Sequence, residues 1–162
     1  MIVIHTCIGM NEPRSRAAGY ATLFRIKDKV IVVIGASRGI GLEIARLLSQ
    51  NGAKVVFAGR TIERLQEEAG KTGPENLAVQ MDIIDSTSIE RAVSEIHNRY
   101  GRIDVLVNNA GQNGQLGYWS DMNPSLEREV FETHVFGTLN TIRAQNTLHR
   151  YSTAIRPGFR IP

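Results

Sequence analysis

Short apolar runs alternate with amphipathic segments along the chain from Lys29 onward. Val30–Ile34 is a continuous β-branched run, which is typical of a strand buried on both faces of a sheet. The apolar residues that follow recur at helical spacing: Ile40, Ile44, Leu47 and Leu48. This helix is predicted to end near Asn51–Gly52, because glycine is favoured just past a helix end.

The same alternation continues through three further strand and helix pairs. The strands that the pattern predicts are Val55–Ala58, Leu77–Met81 and Asp104–Val107. Thr61 is the predicted N-cap of a helix that ends at Ala69, and Ser86 or Ser88 is the predicted cap of the next helix. The last helix is predicted over Ser125–Leu148, with its apolar residues on one side.

Strands that alternate with helices in this way favour an α/β fold with a parallel sheet covered by helices on both faces. Right-handed crossovers then leave the doubly wound order 3-2-1-4 as the natural arrangement of the four strands. We therefore predict a Rossmann-like doubly wound sheet that is truncated after about four strands.

Composition narrows the class of protein only a little. The chain has 162 residues with a net charge of +3, and its basic residues are scattered, which argues against nucleic-acid binding. No apolar run approaches the roughly 20 residues that span a bilayer, so no membrane partner is expected. Cys7 is the only cysteine, which fits a reducing, cytoplasmic compartment and excludes a cysteine-based zinc site.

The segment 1–27 precedes the regular pattern and is predicted to be a flexible extension. Arg14, Arg16, Arg25 and Lys27 lie in a stretch where Glu12 is the only acid, so an organellar transit segment is the alternative.

A glycine-rich turn, Gly35–Gly41, lies between the first strand and the first helix. Glycine allows a tight turn and lets backbone amides approach a phosphate closely. The helix that begins near Gly39 directs its free N–H groups and its positive dipole end toward such a phosphate. The residues predicted to form this phosphate site are Gly35, Ser37, Arg38, Gly39, Ile40 and Gly41.

Three motifs together resemble the short-chain dehydrogenase/reductase family. The family's turn reads T-G-x-x-x-G-x-G, and Ile34–Gly41 matches it except that Ile34 replaces Thr. Asn108–Gly111 reproduces the family's N-N-A-G after the fourth strand, and Asp82 matches its acid after the third strand. The resemblance covers about Lys29 to Gln145.

The resemblance implies roles for the residues outside the turn. Asp82, followed by Ile83, would accept a hydrogen bond from the adenine amino group; the alternative for Asp82 is a carboxylate at the start of a helix. Asn108 would tie the fourth strand to its neighbours. Ala110 and Gly111 would line the cofactor ribose.

Charge at the end of the second strand bears on the choice of cofactor. An acid there would bind both ribose hydroxyls of NAD and repel a 2′-phosphate. Gly59 occupies that position, Arg60 follows it, and Arg38 lies in the glycine-rich turn. Two guanidinium groups suit a phosphate monoester, so NADP is predicted over NAD. The alternative is that both arginines are solvated surface residues.

The catalytic pair of the family, a Tyr with a Lys four residues later, does not occur in these 162 residues. Four residues beyond Tyr20, Tyr100, Tyr118 and Tyr151 stand Phe24, Asp104, Met122 and Ile155. The chain is therefore expected to end before the catalytic residues and to be inactive by itself.

The family's fourth catalytic residue, an Asn in the last helix, is replaced by His134. This histidine either hydrogen-bonds a water or relays a proton, or it is a neutral polar substitution. Ile155–Gly158 faintly resembles a later Pro-Gly segment of the family, as an internal deletion would produce, although a terminal polar coil is favoured.

The sequence is divided into one domain and two flanking segments, and three functions are considered. The extension 1–27 precedes an incomplete dinucleotide-binding domain, 28–149, and an irregular tail, 150–162. The chain is an NADP-dependent oxidoreductase by family, a catalytically inactive nucleotide- or partner-binding protein, or a non-functional truncated product. An exposed fourth strand and last helix would favour self-association.

Overall fold

The computed structural model describes residues 3–6, 26–115 and 117–145. Five strands form its sheet: β1 Val3–Thr6, β2 Val30–Ile34, β3 Lys54–Gly59, β4 Leu77–Gln80 and β5 Val105–Asn108. Four α-helices follow the parallel strands: α1 Gly39–Gln50, α2 Ile62–Thr72, α3 Ser86–Tyr100 and α4 Pro124–Phe131. A 3₁₀ turn at Trp119–Asp121 precedes α4.

The parallel part of the sheet confirms the predicted doubly wound topology. Its strands lie in the order β5-β2-β3-β4, which read from the other edge is the predicted 3-2-1-4. Each neighbouring pair in this part is parallel. The fold is therefore Rossmann-like, with the first and fourth predicted strands side by side at the centre.

Strand β1 was not predicted, and it changes the edge of the sheet. It pairs antiparallel with β5, in a register that sets Val3 opposite Asn108 and Thr6 opposite Val105. The prediction that the fourth strand is an unpaired edge is therefore wrong for this structure. The backbone groups of an edge strand accept any extended segment, and four residues are too few to give a recognisable periodicity.

Several predictions fall outside the described residues. These are the state of residues 7–25 within the predicted extension, the end of the last helix at Leu148 and the irregular tail 150–162.

The central strand β2 separates two hydrophobic cores. Val30, Val32 and Ile34 face the core under α3, whereas Ile31 and Val33 face the core under α1 and α2. All five side chains are at most 2% exposed. The continuous apolar run that predicted this strand is thus explained by burial on both faces.

Two helix boundaries differ from those predicted. Helix α2 passes through Gly70 and ends at Thr72, with Gly73 as its C-cap. Helix α3 is capped by Asp85, whose side chain accepts a hydrogen bond from the Thr87 N–H at 2.9 Å, so the predicted cap at Ser86 or Ser88 is wrong. Carboxylates and hydroxyls are comparable N-caps, and the sequence alone did not rank these neighbours.

Helix α4 does not end at Phe131 but continues through a π-helical turn, Glu132–Gly137, into a further helical segment over 138–145. We call this continuous element, residues 124–145, the long helix. Single π turns inside α-helices shift the side chains that follow and often occur at functional sites. Among the described helices, none is both long enough and apolar enough to cross a membrane.

Candidate cofactor site

Four turns meet at one edge of the sheet. The last residue of β2, Ile34, lies level with Ala58 on β3 and with Asn108 on β5. Gly59 at the end of β3 lies level with Gln80 at the end of β4. The turns that follow these strands therefore share the carboxyl edge, where open α/β sheets bind their ligands.

The start of the glycine-rich turn is packed against the loop after β5. Gly35 has a φ of +82°, and a Cβ there would lie 2.9 Å from both the Cα and the N of Ala110. The Gly35 N–H donates to the carbonyl of Ala58 at 2.8 Å. Only glycine satisfies both the left-handed backbone and this close approach.

Asn109 joins the two loops and was missed by sequence reasoning. Its Nδ2 donates to the Gly35 carbonyl at 3.3 Å. A Cβ on Gly41 would collide with this same Nδ2 and with the Gly35 oxygen. Asn109 was visible as the second Asn of the N-N-A-G motif, but no role had been attached to it.

The N-terminus of α1 is open toward this edge. Helix α1 begins at Gly39, and its N-cap residue Arg38 makes no side-chain hydrogen bond to the first turn. No acidic residue lies in that first turn. A phosphate would find unsatisfied N–H donors and the positive end of the helix dipole there, so the residues present fit a dinucleotide pyrophosphate. Ser37 and Ile40 complete the turn, half-buried and exposed respectively.

Replacing Gly41 with alanine should destabilise the chain. The added methyl would meet the Gly35 oxygen and Asn109 Nδ2, and overpacking of this kind costs about 1–3 kcal/mol. Gly70→Ala is the matched control, because nothing lies within 4 Å of its Cβ position and alanine favours the helix by up to about 1 kcal/mol. Urea unfolding of both variants measures the difference. Equal stability of Gly41→Ala and the parent would contradict the tight packing.

Arg38 and Arg60 are both exposed at this edge. Among the described residues, neither is paired with a carboxylate, whereas Arg46 bonds Glu43 and Glu68 and Arg102 bonds Asp104. The backbone of Arg60 is fixed, since its carbonyl accepts a hydrogen bond from Gln80 Nε2 at 3.1 Å. The guanidinium groups are thus available to an anionic ligand.

Asp82 is held in the loop after β4 and does not cap a helix. Its N–H donates to Ser88 Oγ at 3.0 Å, and its Oδ1 accepts from the Ile84 N–H at 3.2 Å. Because Asp85 caps α3, the helix-start alternative for Asp82 loses its support. Ile83, which follows, is 6% exposed and packs in the core under α3.

Asn108 lies behind the cleft. It is 4% exposed, and its Oδ1 accepts a hydrogen bond from Thr141 Oγ1 on the long helix at 2.9 Å. Its Nδ2 has no hydrogen-bond partner within the described part of the chain. This side chain ties β5 to the long helix, while Ala110 and Gly111 continue toward the cleft surface.

This chain is similar in sequence to known short-chain dehydrogenases. The sequence profile of the family described as short chain dehydrogenase matches residues 29–150. Dehydrogenase/reductase SDR family member 7B of Danio rerio is 36% identical over 128 residues, covering 74% of this chain and 41% of that protein. Galactitol 2-dehydrogenase of Agrobacterium fabrum is 35% identical over 120 residues, covering 74% and 46%.

Solved structures share the fold. A variant of actinorhodin polyketide ketoreductase with NADPH superimposes with a TM-score of 0.68 at 35% identity, covering 76% of this chain and 49% of that one. A short chain dehydrogenase from Escherichia coli CFT073 complexed with NADPH gives a TM-score of 0.70 at 29% identity, covering 76% and 54%. This chain thus spans about half the length of the proteins it matches.

Proposed function

Because this chain belongs to the short-chain dehydrogenase family, we propose that the carboxyl edge of its sheet binds a nicotinamide dinucleotide, with NADP(H) preferred over NAD(H). The observation that carries the proposal is the first turn of α1, which lacks a side-chain cap and an acidic residue. The glycine-rich turn that leads into it is packed through Gly35 against the loop after β5. Relatives of the same fold have been solved with NADPH, which supports the same ligand here.

Each part of the dinucleotide has a proposed contact. The amides of Gly39, Ile40 and Gly41 bind the pyrophosphate, with Gly35 and Ser37 forming the turn beneath it. The carboxylate of Asp82 accepts a hydrogen bond from the adenine amino group, and Ile83 supports that loop from the core. Ala110 and Gly111 line a ribose of the cofactor, and Asn108 holds their strand from behind.

The preference for NADP(H) is proposed from charge. Arg38 and Arg60 have no carboxylate partner among the described residues, and Gly59 offers no acid to bind the ribose hydroxyls. Charge-assisted contacts to a 2′-phosphate would therefore strengthen binding without breaking an existing ion pair.

Family membership makes hydride transfer the expected chemistry, yet the 162 residues hold no Tyr followed by Lys at the family's spacing. We therefore propose that this chain binds the cofactor and does not itself reduce carbonyl compounds. The alternative is a catalytically inactive protein that binds a partner other than a dinucleotide.

Calorimetric titration of the chain with NADPH tests the proposed function directly. We expect saturable binding with a stoichiometry of about one, as for a single preformed site. Arg91→Asp on α3 serves as a charge control, since it lies outside the proposed contacts and should leave binding unchanged. A folded chain that binds no dinucleotide would refute the proposal.

We further propose that the long helix mediates self-association. Its outer face exposes four apolar side chains: Phe131 (63%), Val135 (41%), Phe136 (51%) and Leu139 (41%). An apolar cluster of this kind is typical of an interaction surface. The predicted contribution of strand β5 is withdrawn, because β1 covers its edge.

Phe136→Glu should therefore shift the chain toward monomer, since a charge at an apolar interface opposes association. Leu47→Glu on α1 is the matched control, because Leu47 is 60% exposed and lies away from this face. Sedimentation velocity at micromolar concentration measures the change. A parent chain that is monomeric throughout would count against this part of the proposal.

A further inference from the structure

The long helix touches two of the loops that border the proposed cofactor cleft, those after β4 and β5. Thr141 bonds Asn108 at the end of β5. Gly137, the last residue of the π turn, lies so close to Ile83 that a Cβ there would be 2.8 Å from Ile83 Cγ1. His134, in the middle of the π turn, lies against Gly111 and Gln112. One helix therefore supports the loops at both ends of the cleft.

The imidazole of His134 is engaged with the backbone of the loop after β5. Its Nε2 lies 2.9 Å from the Gln112 carbonyl oxygen and 3.3 Å from the Gln112 nitrogen. A ring nitrogen in one tautomer donates or accepts, and it does not do both. The shorter contact favours a proton on Nε2 that is donated to the carbonyl, as N–H···O bonds of about 2.9 Å are typical.

The same ring fixes the position of Gly111. A Cβ on Gly111 would collide with Cε1 of His134 and would lie 3.1 Å from Nε2 and 3.2 Å from Nδ1. The edge of the ring is thus packed directly on the Gly111 Cα. Since Ala110, the preceding residue, is packed on Gly35, the contact continues from the long helix through this loop to the glycine-rich turn.

We infer that His134 is a positioning residue, which holds Gly111 and Gln112 where the loop forms the wall for the nicotinamide-side ribose. This inference rests on the proposed function, because it assigns the loop to one half of the dinucleotide. It goes further in giving a role to a histidine that stands where the family has Asn. The side chain acts through the loop backbone and need not touch the reacting atoms.

Side-chain length makes the inference specific. The amide nitrogen of Gln reaches about as far from the backbone as Nε2 of His, whereas that of Asn reaches only as far as Nδ1. His134→Gln therefore keeps a donor for the Gln112 carbonyl, and His134→Asn removes it although it restores the family's residue. His134→Ala removes both the donor and the packing on Gly111.

Two ligands separate the halves of the cleft. NADPH occupies both halves, whereas adenosine 2′,5′-bisphosphate carries the adenine and the 2′-phosphate but no nicotinamide ribose. We expect His134→Asn and His134→Ala to weaken NADPH binding roughly three- to tenfold, the range for loss of one hydrogen bond. His134→Gln should bind NADPH within about twofold of the parent, and all variants should bind the bisphosphate like the parent.

Thr133→Ala is the matched control in the same π turn. The Thr133 hydroxyl donates to the Glu129 carbonyl within the helix, so its loss should affect neither ligand. Nitrogen-15 spectroscopy of the parent adds a measurement that needs no variant, and it should show the His134 ring protonated at Nε2.

The outcomes are distinct. NADPH binding unchanged in His134→Ala, an equal loss of both ligands in the His134 variants, or a ring without a proton on Nε2 overturns the inference. A parent that binds neither ligand refutes the proposed function, and the inference falls with it. Retention of the bisphosphate with selective loss of NADPH, rescued by Gln and not by Asn, supports it.

Discussion

With NADPH and a panel of aldehydes and ketones, this chain should oxidise the cofactor no faster than a protein-free solution. Hydride transfer to a carbonyl needs a proton donor placed at the oxygen, and positioned acid catalysis contributes about 10²–10⁴-fold. In the family a Tyr supplies that proton, and a Lys four residues later lowers its pKa. Neither partner of that pair is present at the required spacing.

The described tyrosines offer no ready replacement. Tyr100 donates its hydroxyl to the Glu75 carbonyl at 2.7 Å, at the C-terminal end of α3 and before the start of β4, away from the carboxyl edge of the sheet. Burial raises the pKa of Tyr100, with the nearby Arg99 opposing the shift, which is the opposite of what a catalytic phenol requires. Tyr118 lies in the loop before α4 and is 83% exposed.

The assay needs a positive control and a follow-up variant. Galactitol 2-dehydrogenase of Agrobacterium fabrum is a suitable control with its own substrate and cofactor, since it matches this chain at 35% identity. If the chain oxidises NADPH at a comparable rate, a replacement acid exists and the prediction is wrong. Tyr118→Phe and His134→Gln would then identify it, because each removes a group that could protonate a carbonyl oxygen, although Gln keeps a hydrogen-bond donor.

Much of the fold could be predicted because its signals are local and repeated. The β-branched run at 30–34 is buried on both faces, and the glycine spacing matches a turn that opens a helix, in which Gly35 and Gly39 have positive φ. Parallel strands then bring their carboxyl ends together whatever the lengths of the connections. The meeting of Gly35 with Ala110 follows from this geometry, and the structure confirms it.

The features that were missed depend on tertiary pairing. Strand β1 exists through its backbone bonds to β5, which no pattern within residues 3–6 encodes. Asp85 and Ser88 both stand near the start of α3, and only the structure assigns the first to the cap and the second to the Asp82 N–H. The π turn at Glu132–Gly137 likewise has its contacts outside the helix, since His134 and Gly137 pack on two different loops.

The preference between the two nicotinamide cofactors is the second large effect that we expect. The parent should bind NADPH at least roughly tenfold more tightly than NADH, because charged hydrogen bonds to the 2′-phosphate contribute about 1.5–3 kcal/mol. Arg60→Asp should reduce or reverse the ratio, since it removes one of these contacts and places a negative charge beside the phosphate.

Gly59→Asp tests the same site without removing an arginine. A Cβ at Gly59 would lie 3.6 Å and 3.8 Å from the two methyl carbons of Leu65, which is ordinary contact, so the position accepts a side chain. A carboxylate at the end of β3 is placed to bind ribose hydroxyls and to repel a 2′-phosphate. We therefore expect weaker NADPH binding and unchanged or tighter NADH binding in this variant.

Arg91→Asp changes the net charge by the same amount as Arg60→Asp and lies on α3, where its Nε donates to the Thr87 carbonyl. Calorimetry of each variant with both cofactors, repeated at low and high salt, separates a local contact from a general field, because screening weakens long-range terms most. A selective loss of NADPH affinity in Arg60→Asp and Gly59→Asp, with Arg91→Asp like the parent, is the expected pattern. Equal affinity of the parent for NADPH and NADH would show instead that Arg38 and Arg60 are solvated surface residues with no part in cofactor choice.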